Sequence, residues 1–235
     1  MAEIIRAAPG RVLAVYAHPD DPEVACGGTL ACWAFSGAEV HLLVVCSGDK
    51  GSTDPTADPV ELAAQRKAEV AAAAGVMGLA GYRVLGYPDG GVDDTAELRG
   101  ELVAEIRRLR PDAVVCPDPT AAFFGRTYVN HRDHRVIGWA TLDAVAPAAW
   151  SPLYFPGTGD PHRVAQVYLS GTLEPDVFVD IAAGLTAKTE ALRCHRSQVG
   201  GSGDVLAAAV RRRAEEAGRA AGVRFAEGFR VLTPS

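Results

Sequence analysis

The chain has 235 residues, 48% of them hydrophobic and 22% charged, with a formal net charge of −6. That length can build a substantial core. The acidic balance argues against a nucleic-acid or anionic-membrane surface, because phosphate binding needs clustered Lys and Arg.

Residues 11–17, RVLAVYA, are short, apolar and rich in β-branched side chains, and predict a strand. Residues 22–37 have helix-compatible spacing, with Leu30, Trp33 and Ala34 on one face. Residues 38–48 predict a second buried strand. Residues 58–78 predict a helix with an Asp58 cap, Pro59 at its first position, Glu61 at its third and a glycine stop. A short strand at 82–87, an amphipathic helix at 95–111 and a strand at 112–118 follow. Four such alternations imply parallel βαβ units. The second half is less regular. Helices are predicted at 134–149, 182–198 and 204–222, and strands at 161–171 and 175–181. The run Arg211-Arg212-Arg213, followed by Glu215 and Glu216, reads as a solvated helix face. The loops at 47–59 and 146–162 are rich in Gly and Pro and long enough to form functional rims. With no repeat and no linker, the expectation is a single α/β domain over 1–235. Its sheet is Rossmann-like, doubly wound and mostly parallel, with helices on both faces. The five cysteines are scattered without a CxxC pair, which argues against a cysteine-zinc site or a disulfide scaffold.

In such a sheet ligands sit outside the carboxyl ends of the strands. The stretch VYAHPDDPEVACGGTLA (15–31) puts His18, Asp20 and Asp21 at one of those ends. A histidine and an aspartate three apart on a tight turn can converge on one divalent ion, and such N and O donors suit zinc. The same turn is also explained by Asp20 or Asp21 capping the next helix. A second cluster, YVNHRDHRVIG (128–138), follows the strand at 112–118 and adds His131, Asp133 and His134. Two clusters at strand ends favour a metal site. The GGT at 27–29 lacks both phosphate-loop patterns and reads as close packing of a helix against the sheet.

At these residues the sequence resembles the PIG-L/LmbE-like family of N-acetylglucosaminyl deacetylases. That family's AHPDDE-type motif, GGT[IL]A run and later [HN]xDH segment correspond here to AHPDDPEVACGGTLA and NHRDHRVIG. Further matches at 65–78, 85–90, 188–198 and 226–232 extend the resemblance over 11–232. Pro22 stands where the family usually has glutamate, and Glu23 follows it. The resemblance implies His18, Asp21 and His134 as ligands of Zn2+ or another first-row divalent ion. It implies Asp20 as the general base and His131 as the group that stabilises the oxyanion or protonates the leaving amine. Asp133 would orient a histidine. Arg66 and Asp89 match positions that contact substrate hydroxyls; their plainer readings are a helix-surface charge and a turn residue. His195 is expected near the pocket or at a helix end.

The activity implied is metal-dependent hydrolysis of the amide of an N-acylated amino sugar or glycoconjugate, a small molecule. Alternatives with the same residues are a mycothiol-conjugate-type amidase, an antibiotic-pathway deacetylase and a non-catalytic sugar- or metal-binding domain. The opening MAEIIRAAPGRV has neither an apolar h-region nor a cleavage site, and no apolar run reaches membrane-spanning length, so a cytosolic protein is expected. Self-association is left open.

Overall fold

In the computed structural model, which describes residues 3–200 and 203–235, the apolar runs pair into one eight-stranded sheet. The elements in chain order are β1 (Glu3–Ile5), β2 (Arg11–Tyr16), α1 (Asp21–Phe35), β3 (Glu39–Cys46), α2 (Pro59–Met77), β4 (Gly81–Tyr87), α3 (Ala96–Leu109), β5 (Ala113–Pro117), β6 (Phe123–Phe124), β7 (Tyr128–Val129), α4 (Arg132–Asp143), β8 (Gln166–Ser170), β9 (Val177–Asp180), α5 (Leu185–Cys194), α6 (Arg196–Val199), α7 (Gly203–Ala221) and β10 (Ala226–Leu232). The sheet order is β1-β9-β10-β8-β5-β2-β3-β4. All neighbours are parallel except β10, which runs antiparallel to both β8 and β9. The doubly wound, mostly parallel sheet is as the alternation predicts. Among the described residues no helix is long and apolar enough to cross a membrane.

Alternation along the central strands feeds two cores. Leu13, Val15 and Leu43 pack with Leu98, Leu102 and Ile106 of α3 and Ile137 of α4. Val12, Ala14, Tyr16, Val40 and Leu42 face the other way, onto Leu30 and Trp33 of α1, Val70 of α2 and Leu185 of α5. The predicted caps of α2 form: the Asp58 carboxylate accepts from Val60 N and Glu61 N, and Gly78 ends the helix in the left-handed conformation. The three consecutive arginines of α7 are exposed.

Three expectations change. The helix predicted at 134–149 ends at Asp143, and a π-helical turn at Ala144–Ala148 holds Pro147, which cannot continue a regular ladder. The helix predicted at 182–198 breaks at His195, where Glu69 captures the Ser197 N–H at 2.8 Å and its hydroxyl at 2.6 Å. The loop at 146–162, expected as a rim, is fastened instead along α3. Arg107 donates to the carbonyls of Ala148, Ala149, Ser151, Tyr154 and Phe155 and to Thr158 Oγ1, at 2.7–3.1 Å. A planar guanidinium with five fixed donors suits this many carbonyls in a way an ammonium does not. Sequence periodicity did not reveal β1, β10 or the β6–β7 hairpin.

The matches at 188–198 and 226–232 have a structural explanation. Cys26, at φ −147° and ψ 21°, interrupts α1 and frees the amides that follow it. The Glu227 carboxylate on β10 accepts from Gly28 N at 3.1 Å and Thr29 N at 2.7 Å, and so caps the second half of the helix. Lys188 Nζ donates to Glu227 Oε1 at 2.5 Å and to Val24 O at 3.0 Å, and both ions are buried. A Cβ on Gly28 would stand 2.6 Å from Ile181 Cδ1, so the GGT run does serve close packing. Lys188→Met leaves Glu227 as an uncompensated buried charge, at a cost of about 3–5 kcal/mol. The thermal midpoint, followed by circular dichroism, falls by roughly 10 °C. An unchanged midpoint contradicts this role.

Candidate active site

The strand order reverses between β2 and β5: the chain leaves β2 for β3 on one side and comes back to β5 on the other. The carboxyl ends of these two adjacent strands therefore open onto one crevice. After β2 the chain turns through Pro19 and Asp20 into α1. Asp20 has φ 90°, rare for a residue with a Cβ, and its side chain makes no capping bond to the helix. The capping explanation of this aspartate therefore fails. After β5 the Asp118 carboxylate folds an Asx turn with Thr120, the β6–β7 hairpin projects, and the chain re-enters at Asn130 to start α4.

These turns bring His18, Asp21 and His134 together. His18 Nδ1 lies 3.2 Å from His134 Nε2 and 3.2 Å from Asp21 Oδ2, and His134 Nε2 lies 3.1 Å from Asp21 Oδ1. The two imidazole nitrogens stand 3.2 Å apart, close to the roughly 3.3 Å that separates donors on one tetrahedral zinc, and each faces a different oxygen of the Asp21 carboxylate. The second nitrogen of each ring is already engaged. His18 Nε2 donates to Asp133 Oδ2 at 3.0 Å, and His134 Nδ1 to Asn130 Oδ1 at 2.8 Å. That leaves the facing lone pairs for a cation, and the N2O donor set fits a first-row divalent ion. Without a cation, burial disfavours a charged His18. The hydrogen bond to Asp21 and the Cys46 side chain outweigh that and raise it to about 11. Burial likewise works against an ionised Asp21, yet His134 and His18 hold its carboxyl below the usual range.

Asp133, expected to orient a histidine, is fully buried beneath His18 and also accepts from Gly90 N at 2.7 Å. His131 lines the cleft with its side chain 46% exposed. Its Nδ1 accepts from Asp133 N at 3.2 Å, capping α4, so the neutral ring carries its proton on Nε2. Burial and then the nearby His18 lower the pKa of this ring below the usual imidazole value.

A cleft of about 320 Å3 opens beside the triangle, and Asp20, Arg66, Asp89 and His131 all line it. Arg66 is not a helix-surface charge. It is 3% exposed and donates to Pro19 O at 2.6 Å, to Gly48 O at 3.3 Å and to Asp20 Oδ2 at 3.3 Å. Asp89 is more than a turn residue. Its carboxylate accepts from Gly48 N at 2.9 Å and stands 3.9 Å from Arg66 Nη1. The 47–59 loop does form a rim here, and Gly51 passes so close that a Cβ would meet Arg66 Nη1 at 2.4 Å. Burial, followed by the Asp21 charge, raises the Asp20 carboxyl to about 7, with Arg66 pulling the other way. Glu23 does not reach the cleft: it pairs with His195 at 3.3 Å, and both are buried. Sequence reasoning missed Lys50, which lines the cleft and donates to Asp89 O at 2.5 Å, and two further residues. Gln198, signalled only by the HRSQ match, lines the cleft and donates to Gly51 O at 2.8 Å. Asn130 carried no signal beyond adjoining His131.

A family model described as PIG-L, GlcNAc-PI de-N-acetylase, matches residues 13–145, more than half of the chain. The chain belongs to the PIG-L family. The PIG-L match takes in both turns of the triangle. Diacetylchitobiose deacetylase of Thermococcus kodakarensis is 33% identical over 226 residues, 94% of this chain and 83% of the relative. A 1D-myo-inositol 2-acetamido-2-deoxy-alpha-D-glucopyranoside deacetylase of Rhodococcus jostii is 31% identical over 246 residues, 80% of this chain and 82% of that protein. Among solved structures, N,N'-diacetylchitobiose deacetylase from Pyrococcus horikoshii, complexed with an inhibitor, superposes with a TM-score of 0.87 at 30% identity. The superposition covers 96% of this chain and 84% of that one.

Proposed function

We propose that this PIG-L protein, acting as one domain over 1–235, is a zinc-dependent N-deacetylase of small N-acetylated amino sugars. The observation that carries the reading is the triangle of His18, Asp21 and His134 at 3.1–3.2 Å, set beside a buried acid in an open cleft. His18, Asp21 and His134 would hold the ion, which when bound would lower the pKa of water to about 7 and polarise the amide carbonyl. Asp20 takes the proton of the attacking water; its burial and the Asp21 charge suit it to accept one near neutrality. His131 offers its Nε2–H to the amide oxygen as that atom gains charge, and Asp20 passes the proton it accepted on to the departing amine. Asp133 holds His18 in the tautomer that leaves Nδ1 free. Arg66 and Asp89 line the cleft with donors and acceptors for sugar hydroxyls. The relatives above are named as deacetylases, so acetyl is the acyl group proposed and the thiol-conjugate alternative is set aside.

The test is amine release from N-acetylglucosamine, diacetylchitobiose and an N-acetylglucosaminyl inositol. Activity is expected on at least one of these, abolished by a chelator and restored by Zn2+. Silence on all three in zinc-loaded protein overturns the reading.

A further inference from the structure

Asn130 is buried, and its backbone N–H and both ends of its side-chain amide are engaged. Its backbone N–H donates to Ala122 O at 2.8 Å, and its side-chain Nδ2 donates to Ala121 O at 2.8 Å. Its Oδ1 lies 2.8 Å from His134 Nδ1. The side-chain amide cannot be turned round. Only the NH2 end can face a carbonyl, so the oxygen faces His134 and the imidazole proton sits on Nδ1. The other imidazole of the triangle is held differently. His18 Nε2 donates to the carboxylate of Asp133.

This asymmetry has a chemical reason. An ionised aspartate at 130 could accept from His134, but it would set an anion against the carbonyl of Ala121. It would also add charge. A divalent cation with Asp21 in contact and Asp133 behind His18 makes a neutral centre. A third carboxylate would make it negative and oppose the charge that develops on the amide oxygen. We propose that Asn130 is a positioning residue for the metal centre: it fixes the tautomer of His134, aims Nε2 at the cation and keeps the centre neutral. The inference rests on the metal reading above.

Three variants separate this role from simple packing. Asn130→Ala removes both side-chain bonds. Asn130→Leu removes them while filling the volume, so a folding failure of the alanine variant does not remove the test. Asn130→Asp keeps an acceptor for His134 and loses only the donor to Ala121. Zn2+ affinity is measured by competition with a chromogenic chelator, and geometry by the visible spectrum of the Co2+ form. The alanine and leucine variants are expected to bind Zn2+ about 10–100-fold more weakly, with an altered Co2+ spectrum. The aspartate variant should hold Zn2+ at least as tightly as wild type but turn over more slowly once loaded, with KM unchanged. Wild-type affinity in the alanine or leucine variant overturns the proposal. So does an aspartate variant that loses as much affinity as alanine, because the role is then structural. A wild-type chain that binds no Zn2+ overturns the metal reading itself, a result distinct from either.

Discussion

Asp20→Asn loses about 10²–10⁴-fold in kcat while its zinc content and thermal midpoint stay at wild-type values. The substitution is unusually clean at this position. Asp20 sits at φ 90°, and asparagine is among the few residues with a Cβ that tolerate positive φ, so the backbone turn survives. Burial and the Asp21 charge both work against an ionised carboxylate here, so a neutral amide does not weaken the fold. Asn also keeps an oxygen for Arg66 Nη2, now 3.3 Å from Asp20 Oδ2. What disappears is the capacity to accept a proton from water. Turnover is checked by amine release and metal by elemental analysis. Activity above a tenth of wild type contradicts the general-base role.

His134→Ala abolishes stoichiometric zinc binding, and turnover with it. His134 is the most informative ligand to remove. Asp21 also accepts the backbone N–H of His18 at 2.7 Å, so its loss would disturb the turn as well as the centre. His134 contributes one lone pair from the second turn of the pair. A ligand that binds only the folded state stabilises it by about 4 kcal/mol at a thousandfold excess over Kd. Adding Zn2+ therefore raises the wild-type midpoint by roughly 10 °C in a chain of this size. The alanine variant is expected to show no such rise while keeping its far-UV circular dichroism. A zinc-dependent rise equal to that of wild type removes His134 from the ligand set.

Some of this protein is written in short windows of its sequence. The apolar runs set the strands of the first half, and Asp58, Pro59 and Gly78 set the ends of α2, because capping and periodicity act between residues a few positions apart. The run RVLAVYA followed by HPDD fixes that this acidic turn lies at a strand's carboxyl end. Family resemblance then marks His18, Asp21 and His134 as candidate ligands. Other features depend on partners distant in the chain. The strand β10 contains Glu227 and Arg230, poor strand signals; it forms by pairing with both β8 and β9, and its buried Glu227 is accommodated by freed amides and a lysine from two other segments. The loop at 146–162 has a rim's composition but lies along α3 because Arg107 collects its carbonyls.

The sequence by itself determined the alternating strands and helices between residues 11 and 118 and which side chains could carry the chemistry. Only the tertiary structure decided that β2 and β5 are neighbours, which brings His18 within 3.2 Å of His134 across 116 positions. It also decided which acceptor each imidazole has, Asp133 for His18 and Asn130 for His134. Strand order follows from burying two sheet faces at once, a condition on the whole chain that no local window contains.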